Sequence, residues 1–380
     1  MSVVSRLLRV RSSLRSAEID ALVVSHLPNI RYLTGFNGTA GLVVVTPTRC
    51  VLIVDFRYRT AARALLAATP GLSDHIELIV PQQSYDETLA EFLKGTAARR
   101  IGVEASSMPV GRFNKLSSML AASALTPLRT PDACPALVPV ERLIEGSRAV
   151  KDDGEISTLR EAGRRIARAT DRAIGCVRAG RSELEVAAEV DALLRRVGFE
   201  RPAFETIVAS GPNSALPHAR PSDRVLQEGD GVVLDFGGVY DGYCVDLTRT
   251  VELGDTGQDF RRLFAAVAEA QVASISAVRP GVRASEVDAA ARAALGRYGL
   301  EDAFGHGTGH GLGLEVHEEP RIGRPVAGVP DVVLEPGMVF TIEPGAYVEG
   351  IGGVRIEDDV LVTADGCEIL TASRSETPGG

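Results

Sequence analysis

Two stretches in the C-terminal part of the chain repeat one another 101 positions apart. Val177-Arg178-Ala179-Gly180 returns as Val278-Arg279-Pro280-Gly281, and Val197-Gly198-Phe199-Glu200 returns as Tyr298-Gly299-Leu300-Glu301. Between the landmarks each copy opens a helix at Ser-Glu. Ser182 with Glu185 makes a capping box, and Ser285 with Asp288 makes a similar one. Each copy therefore reads as helix, glycine stop, helix, glycine stop, then strands. Single short words match by chance, but two landmarks at one offset in the same element order point to duplication. Two related halves meet at a pseudo-two-fold axis, and a cleft between halves is a preferred place for a ligand.

The chain has 380 residues, too many for one small core, and suggests two domains. Residues 1–145 read as a smaller α/β unit. A helix is followed by apolar runs at Asp20–Ser25, Gly41–Thr46 and Cys50–Asp55, an Ala-rich helix near Tyr58–Ala68 and a strand near Arg100–Glu104. The run Ala133–Pro139, with Pro135 and Pro139, reads as a connection. Lys151-Asp152-Asp153-Gly154-Glu155 then opens a long helix, so the second domain is expected over 146–380. The fold class is α/β (α+β).

Charge and cysteine usage exclude several functions. A net charge of −9 and the absence of Trp argue against a nucleic-acid surface with stacking platforms. The five cysteines, Cys50, Cys134, Cys176, Cys244 and Cys367, are scattered and never spaced CxxC. A disulfide framework is not expected, and a reducing, cytoplasmic setting is. Apolar runs such as Gly41–Thr46 are too short to span a membrane. Arg6, Arg9, Arg11 and Arg15 precede the first acid, Glu18. Without cleavage signals they read as a first amphipathic surface helix rather than a presequence.

Chemistry gathers at three places. In the first, apolar runs flank Asp241-Gly242, the turn of a two-residue hairpin. That turn sets Asp235 opposite Thr248 and brings Asp246, two residues away, onto the same face. Two carboxylates on one face among Val232, Val233, Leu234 and Phe236 need a cation or a proton between them.

The second is GHGTGHGLGLEVHE, residues 305–318. His306, His310 and His317 are half of the six histidines in the chain. The interleaved glycines, each costing about 1 kcal/mol within a helix, favour an extended segment with His306 and His310 on one face. The HExxH pattern is absent, because Pro320 and Arg321 follow His317 and its acids.

The third is TIEPG followed by GGVRIEDDV. Glu343 stands at a strand end before the Pro344-Gly345 turn, and Glu357 lies beside the apolar run Val360-Leu361-Val362. Asp358 and Asp359 read as exposed charges or as partners of neighbouring groups. Four carboxylates and one imidazole suit two adjacent divalent cations better than a lone structural zinc.

The words VVLDFG, GYCVDLTRT, GHGTGHGLGLEVHE, TIEPG and GGVRIEDD resemble those of the pita-bread metallopeptidases, in the Xaa-Pro branch of aminopeptidase P and prolidase. The likeness covers about 150 to 370 strongly. NIRYLTGF and the strands around it resemble, more loosely, the creatinase-type N-terminal domain of that branch. The resemblance implies a dinuclear metallo-exopeptidase that hydrolyses the bond between an N-terminal residue and proline by a metal-bridging hydroxide. Asp246 and Glu357 would bridge the two metals, Asp235 would complete one, and His310 and Glu343 the other. Glu343 would also act as general base. His218 and His317 would polarise the carbonyl and stabilise the tetrahedral intermediate. His306 would line the substrate pocket, and Arg355 would order a ligand or meet a substrate carboxylate.

The family pattern further implies Mn2+, with Co2+, Fe2+ or Zn2+ as other candidates, and a homodimer. The substrate partners are peptides with proline second; nucleic acid and membrane are not expected. A methionine-aminopeptidase-like or broad aminopeptidase, and a non-catalytic pita-bread interaction protein, are the alternatives. The first usually lacks an N-terminal domain of this kind, and the second typically loses the ligands. A serine hydrolase is excluded by the lack of GxSxG, and a dinucleotide enzyme by the lack of GxGxxG.

Overall fold

The computed structural model describes residues 3–121 and 135–372. The chain divides into two compact units at Arg148–Ala149. No helix among the described residues is long and apolar enough to cross a membrane.

The first unit runs α1 (Val3–Ser16), β1 (Ala21–Val24), α2 (Leu27–Thr34), β2 (Leu42–Val45), β3 (Cys50–Ile53), α3 (Arg59–Ala68), β4 (Glu77–Ile79), α4 (Tyr85–Lys94), β5 (Arg100–Glu104), α5 (Val110–Ala121), β6 (Ala136–Val140) and α6 (Glu145–Arg148). Its sheet has the order β4-β3-β2-β1-β5-β6. Every residue of β1, β2 and β3 is buried, which accounts for their unbroken apolar runs, because a sheet covered on both faces needs no polar alternation. Leu89 and Leu93 of α4 and Leu116 and Leu120 of α5 pack on one side of it. The expected connection over Ala133–Pro139 is corrected. From Ala136 the chain forms β6, parallel to β5. β6 is an edge strand, where Pro139 removes no needed ladder bond. Ala133 and Cys134 lie outside the described residues.

The second unit contains α7 (Asp153–Cys176), α8 (Glu183–Arg196), β7 (Arg201–Pro202), β8 (Ile207–Ser210), β9 (Gly231–Tyr240), β10 (Tyr243–Glu252), α9 (Gln258–Ala277) and α10 (Ala284–Gly296). β11 (Gly309–Gly311), β12 (Glu318–Ile322), β13 (Val339–Ile342), β14 (Gly345–Val348), β15 (Gly352–Arg355), β16 (Asp358–Val362) and β17 (Cys367–Ile369) follow. β9 and β10 form the hairpin with Asp241 and Gly242 at positive φ, the backbone that a two-residue turn of this kind demands. β12-β11-β13-β16-β17 form a second sheet, and β14 pairs with β15.

The repeat is visible in the hydrogen bonds. Gly180 N donates to Leu226 O, and Gly281 N to Leu334 O, both at 2.9 Å. Leu226 N returns to Arg181 O, and Leu334 N to Val282 O, both at 2.8 Å. Glu183 N binds Arg224 O as Ala284 N binds Val332 O. The landmark glycines Gly180, Gly198, Gly281 and Gly299 all take positive φ after a helix, a stop that side chains resist.

The halves differ at their second helix. Ser182 caps α8 with Glu185, whereas the cap of α10 is Arg283, whose N–H is accepted by Glu286. The Ser285–Asp288 capping box is therefore not formed. Ser285 binds Asp331, and Asp288 turns inward to Arg292 and Thr308.

Candidate metal centre

Strand alternation in the hairpin separates two chemistries. Leu234, Phe236 and Leu247 pack against Leu159 and Ile166 of α7 and Val190 of α8. Asp235 faces the other way, paired in register with Thr248, and Asp246 lies on the same face. Opposite them, β13 ends at Ile342 and delivers Glu343, whose N–H donates to Thr308 O at 2.7 Å. Glu357 sits between β15 and β16, where its N–H donates to Thr248 O at 3.1 Å. His310 is the central residue of the three-residue strand β11, and its N–H donates to Thr341 Oγ1 at 3.1 Å. Gly309 lies so close to β13 that a Cβ there would stand 1.8 Å from Thr341 O.

These side chains converge on one cavity of about 530 Å³. Asp235, Asp246, His310, Glu343 and Glu357 line it, as do His218, His306, His317 and Arg355. The extended reading of residues 305–318 holds only locally. β11 is three residues long and His306 stands in a loop, yet both histidines reach the same cavity.

The electrostatics of the site call for cations. Burial, then repulsion from neighbouring acids, pushes the Asp246 and Glu357 carboxyls well above the usual carboxylate range. Burial pushes Glu343 up to about 8. Asp235 Oδ1 and Asp246 Oδ1 are buried with no hydrogen-bond partner among the described residues. Such orphaned oxygens are costly unless a ligand takes them up.

His310 adds an independent sign. Its Nδ1 lies 3.1 Å from Gly311 O, a pure acceptor, so Nδ1 carries the proton. The bare Nε2 then points at Glu343 Oε1, 3.4 Å away, and Asp246 Oδ2, 3.9 Å away. Burial holds this imidazole down to about 4, in its neutral form. A lone pair facing ionised carboxylates is repulsive, so a proton or a cation must lie between them, and the convergence of four carboxyls with one imidazole suits a divalent cation. The donor atoms of Asp246, His310 and Glu357 lie within 4.8 Å of one another. The residues present thus fit divalent metal.

A web of neutral and cationic groups fixes the rim. Thr248 Oγ1 donates to Glu357 Oε2 at 2.6 Å. Arg355 donates to Asp235 Oδ2, to the Tyr347 hydroxyl and to Pro217 O. Tyr347 is in turn 3.0 Å from His306 Nε2; since His306 Nδ1 donates to Gly307 O, the tyrosine is the donor. The His317 ring packs edge-on to His310 with centroids 4.2 Å apart. Phe204, Ile207 and Val316 supply apolar wall, and Arg220 and Arg321 supply positive charge.

Thr248, Tyr347 and the two wall arginines were not singled out from sequence as functional. The register that paired Asp235 with Thr248 was the available signal for the first. Of the two readings of Asp358 and Asp359, exposed charge or partner of a neighbouring group, the structure takes the second. Both are buried. Asp358 accepts from Arg249, Gln271 and Thr371, and Asp359 Oδ2 accepts the Asp246 N–H at 3.1 Å.

A second group of donors, His26, Glu104 and Glu145, lies in the first unit. There Glu104 already accepts from Ser25 N, His26 N, Ser107 Oγ and Asn29 Nδ2, so its charge is met without a cation.

Comparison with known proteins agrees with this chemistry. Residues 157–364 match the family described as Metallopeptidase family M24, and residues 6–150 match the Creatinase/Prolidase N-terminal domain. The chain is 37% identical over 371 residues to the uncharacterized peptidase YqhT of Bacillus subtilis, covering 98% of this chain and 99% of that one. It is 35% identical over 361 residues to a Xaa-Pro dipeptidase of Pyrococcus horikoshii, covering 94% of each. Among solved structures, the Xaa-Pro dipeptidase from Bacillus anthracis superposes with a TM-score of 0.89 at 34% identity, covering 100% of this chain and 99% of that one. An X-Pro aminopeptidase from Thermotoga maritima does so with 0.81 at 32%, covering 97% and 99%. With its acid-rich cavity and a creatinase-type domain ahead of a pita-bread domain, the chain belongs to metallopeptidase family M24 and is a metal-dependent peptidase.

Proposed function

We propose that this peptidase hydrolyses the bond between an N-terminal residue and a following proline. The observation that carries the metal chemistry is the bare His310 Nε2 facing Glu343 Oε1 and Asp246 Oδ2 in a cavity where Asp235 Oδ1 and Asp246 Oδ1 are buried without a partner among the described residues, and the likeness to Xaa-Pro dipeptidases supports proline as the second residue. Asp235, Asp246, His310, Glu343 and Glu357 would hold two divalent cations, Asp246 and Glu357 being the acids shared between them. Manganese is the proposed metal. Residues 1–145 are taken as the N-terminal domain and 146–380 as the catalytic domain. A homodimer in the cytoplasm completes the reading.

When bound, the cations supply Lewis acidity, acidifying a water and polarising the scissile carbonyl. Glu343 accepts the proton of the attacking water and passes it to the leaving proline nitrogen. His218 and His317, on the cavity wall, donate to the carbonyl oxygen as it gains negative charge. Arg355 and Tyr347 hold His306 and Asp235 in place. The Xaa-Pro amide has no N–H and a fixed φ, so a site that grips the carbonyl and the free amine suits it better than one that needs that donor. Carboxylates around the centre attract the substrate's amino group and limit cleavage to the first residue. Arg220 and Arg321 on the wall offer partners for a dipeptide carboxylate, which favours dipeptides, as do the relatives named Xaa-Pro dipeptidase.

The test is a parallel assay of Ala-Pro, Ala-Pro-Ala and Ala-Ala-Ala on the Mn2+-loaded protein. Cleavage of the proline peptides alone is expected. Equal turnover of all three would sink the proline assignment, and a metal content of one ion or none per active chain would sink the dinuclear one.

A further inference from the structure

His218 differs from the other cavity histidines on one point. The His306 and His310 rings are held by hydrogen bonds, and the His317 ring packs against His310. His218 is exposed at the cavity wall, and its ring has no hydrogen-bond partner among the described residues. Its position is therefore set by the backbone of the loop that carries it, residues 211–221.

Arg355 holds Pro217 O and Gly353 N holds Ser214 Oγ within that loop, and a single buried carboxylate joins its two ends. Glu183, the first residue of α8, is fully buried. Its Oε1 accepts Ser210 N at 2.8 Å and Ser210 Oγ at 2.7 Å, on the entering side of the loop. Its Oε2 accepts Ser222 N at 3.0 Å and Ser222 Oγ at 2.7 Å, on the leaving side. Asn213 Nδ2, within the loop, reaches both oxygens at 3.1 and 3.2 Å. One carboxylate thus ties both ends of the His218 loop to one helix terminus.

The internal repeat argues that the helix does not require this acid. In the second half the corresponding residue is Ala284, and the backbone bond there is the same, Ala284 N to Val332 O. A repeat unit therefore builds its second helix with alanine at this position. The carboxylate is specific to the half whose loop carries His218.

We infer that Glu183 is a positioning residue for His218: it clamps Ser210 and Ser222 at the two ends of the loop so that an imidazole without a hydrogen-bond partner of its own among the described residues faces the scissile carbonyl. This rests on the role given to His218 above. Five protein donors converge on Glu183, and an amide in its place would turn one acceptor oxygen into a donor aimed at serine donors.

The experiment is Glu183→Gln in the metal-loaded full chain, alone and combined with His218→Ala. Melting temperature, metal content, and kcat and KM on Ala-Pro are recorded on the Mn2+-loaded protein, and the imidazole proton resonances on the diamagnetic Zn2+-loaded protein. The His218 resonance is assigned from its loss in His218→Ala. Positioning predicts retained metal, KM within about threefold and kcat lower by about 100-fold, the size of effect that a misplacement of about 1 Å produces. It also predicts a displaced or broadened His218 resonance. In the His218→Ala background the second substitution should cost no more than about threefold, because the two act through one group. An unmoved resonance with full kcat overturns the inference, as do losses that multiply in the double variant. Should Glu183→Gln not fold, Ser222→Ala carries the test, with a smaller kcat loss and the same displaced resonance expected and an unmoved one overturning it. Failure of the wild type to cut any Xaa-Pro peptide would remove the proposed function, while the resonance would still decide the positioning of His218.

Discussion

The Arg355 guanidinium donates to Asp235 Oδ2 through Nη2 at 2.5 Å and to the Tyr347 hydroxyl through Nη1 at 2.7 Å. It occupies one oxygen of Asp235 and leaves Oδ1, which has no partner among the described residues, free to face a cation. A planar fork is needed for this, so lysine is not a conservative replacement. Arg355→Lys should weaken binding of the cation held by Asp235, or lower activity, about 10- to 100-fold, as loss of a ligand's supporting partner typically does. Titration of the apo protein with Mn2+, read by calorimetry beside kcat, checks this. Unchanged affinity and kcat would remove Arg355 from the site's support.

Metal removal should destabilise the second unit. The apo centre keeps several buried carboxyls in mutual repulsion, which cation binding relieves. Free Mn2+ at about 100 times its Kd should raise stability by about 2.7 kcal/mol. Scanning calorimetry with chelator and then with graded Mn2+ should show a melting temperature that climbs with concentration. Asp246→Ala should lose both this climb and turnover. A melting temperature indifferent to metal in the wild type would contradict the site.

Much of this was legible in the sequence because the informative residues sit in local patterns. Asp241-Gly242 set the hairpin register, and the register set Asp235 beside Asp246. The repeat could be read because helix stops need glycine at positive φ, which leaves a fixed mark. What escaped depended on contacts distant in sequence. Adjacent acids at 358 and 359 look like surface charge under strand alternation, which buries one side of a strand. Every residue of β16 is buried, Asp358 against Arg249 and Gln271 and Asp359 against the Asp246 amide, so neither face of the strand meets solvent. Nothing near Glu183 or Asp288 in sequence announces the loops they hold, 27 to 39 residues from Glu183 and 20 from Asp288.

Asp359 follows directly from that burial. Its Oδ2 accepts the Asp246 N–H, and Oδ1 has no partner among the described residues. Burial pushes this carboxyl well above the usual carboxylate range. Asp359→Ala would strand the buried Asp246 amide, at a cost of about 1–3 kcal/mol. Urea unfolding should show the loss, together with reduced metal affinity through Asp246. A variant as stable as wild type would mean that water replaces the acceptor.

Gly309→Ala tests how tightly β11 must approach β13. The added methyl would stand 1.8 Å from Thr341 O and 2.9 Å from Thr341 Oγ1, the group that accepts the His310 N–H. Backbone cannot yield as a side-chain tip can, so the strands must part. A loss of about 1–3 kcal/mol or more is expected, with His310 moving off the cavity. Thermal melting and metal content should fall together. Full metal content would show that His310 keeps its place despite the displaced strand.

Asp288 supplies a last prediction, because it links a buried ion pair to two cavity residues. Its carboxylate pairs with Arg292 at 2.7 Å and accepts from Thr308 N and Thr308 Oγ1. Arg292 donates onward to Phe304 O and to His306 O. Thr308 O accepts the Glu343 N–H. The pair therefore brackets the His306 segment on both sides and steadies the backbone of Glu343. Removing one partner of a buried pair leaves the other uncompensated, and costs about 3–5 kcal/mol. Asp288→Asn should lower stability by an amount of that order and reduce kcat as well, since His306 and Glu343 lose a shared anchor. Replacing both residues with apolar groups of similar size, as in Asp288→Leu with Arg292→Met, should recover part of the stability but not the kcat. Denaturant unfolding and steady-state kinetics on the wild type and the two variants separate the two effects. Recovery of kcat along with stability would show that the pair serves folding alone.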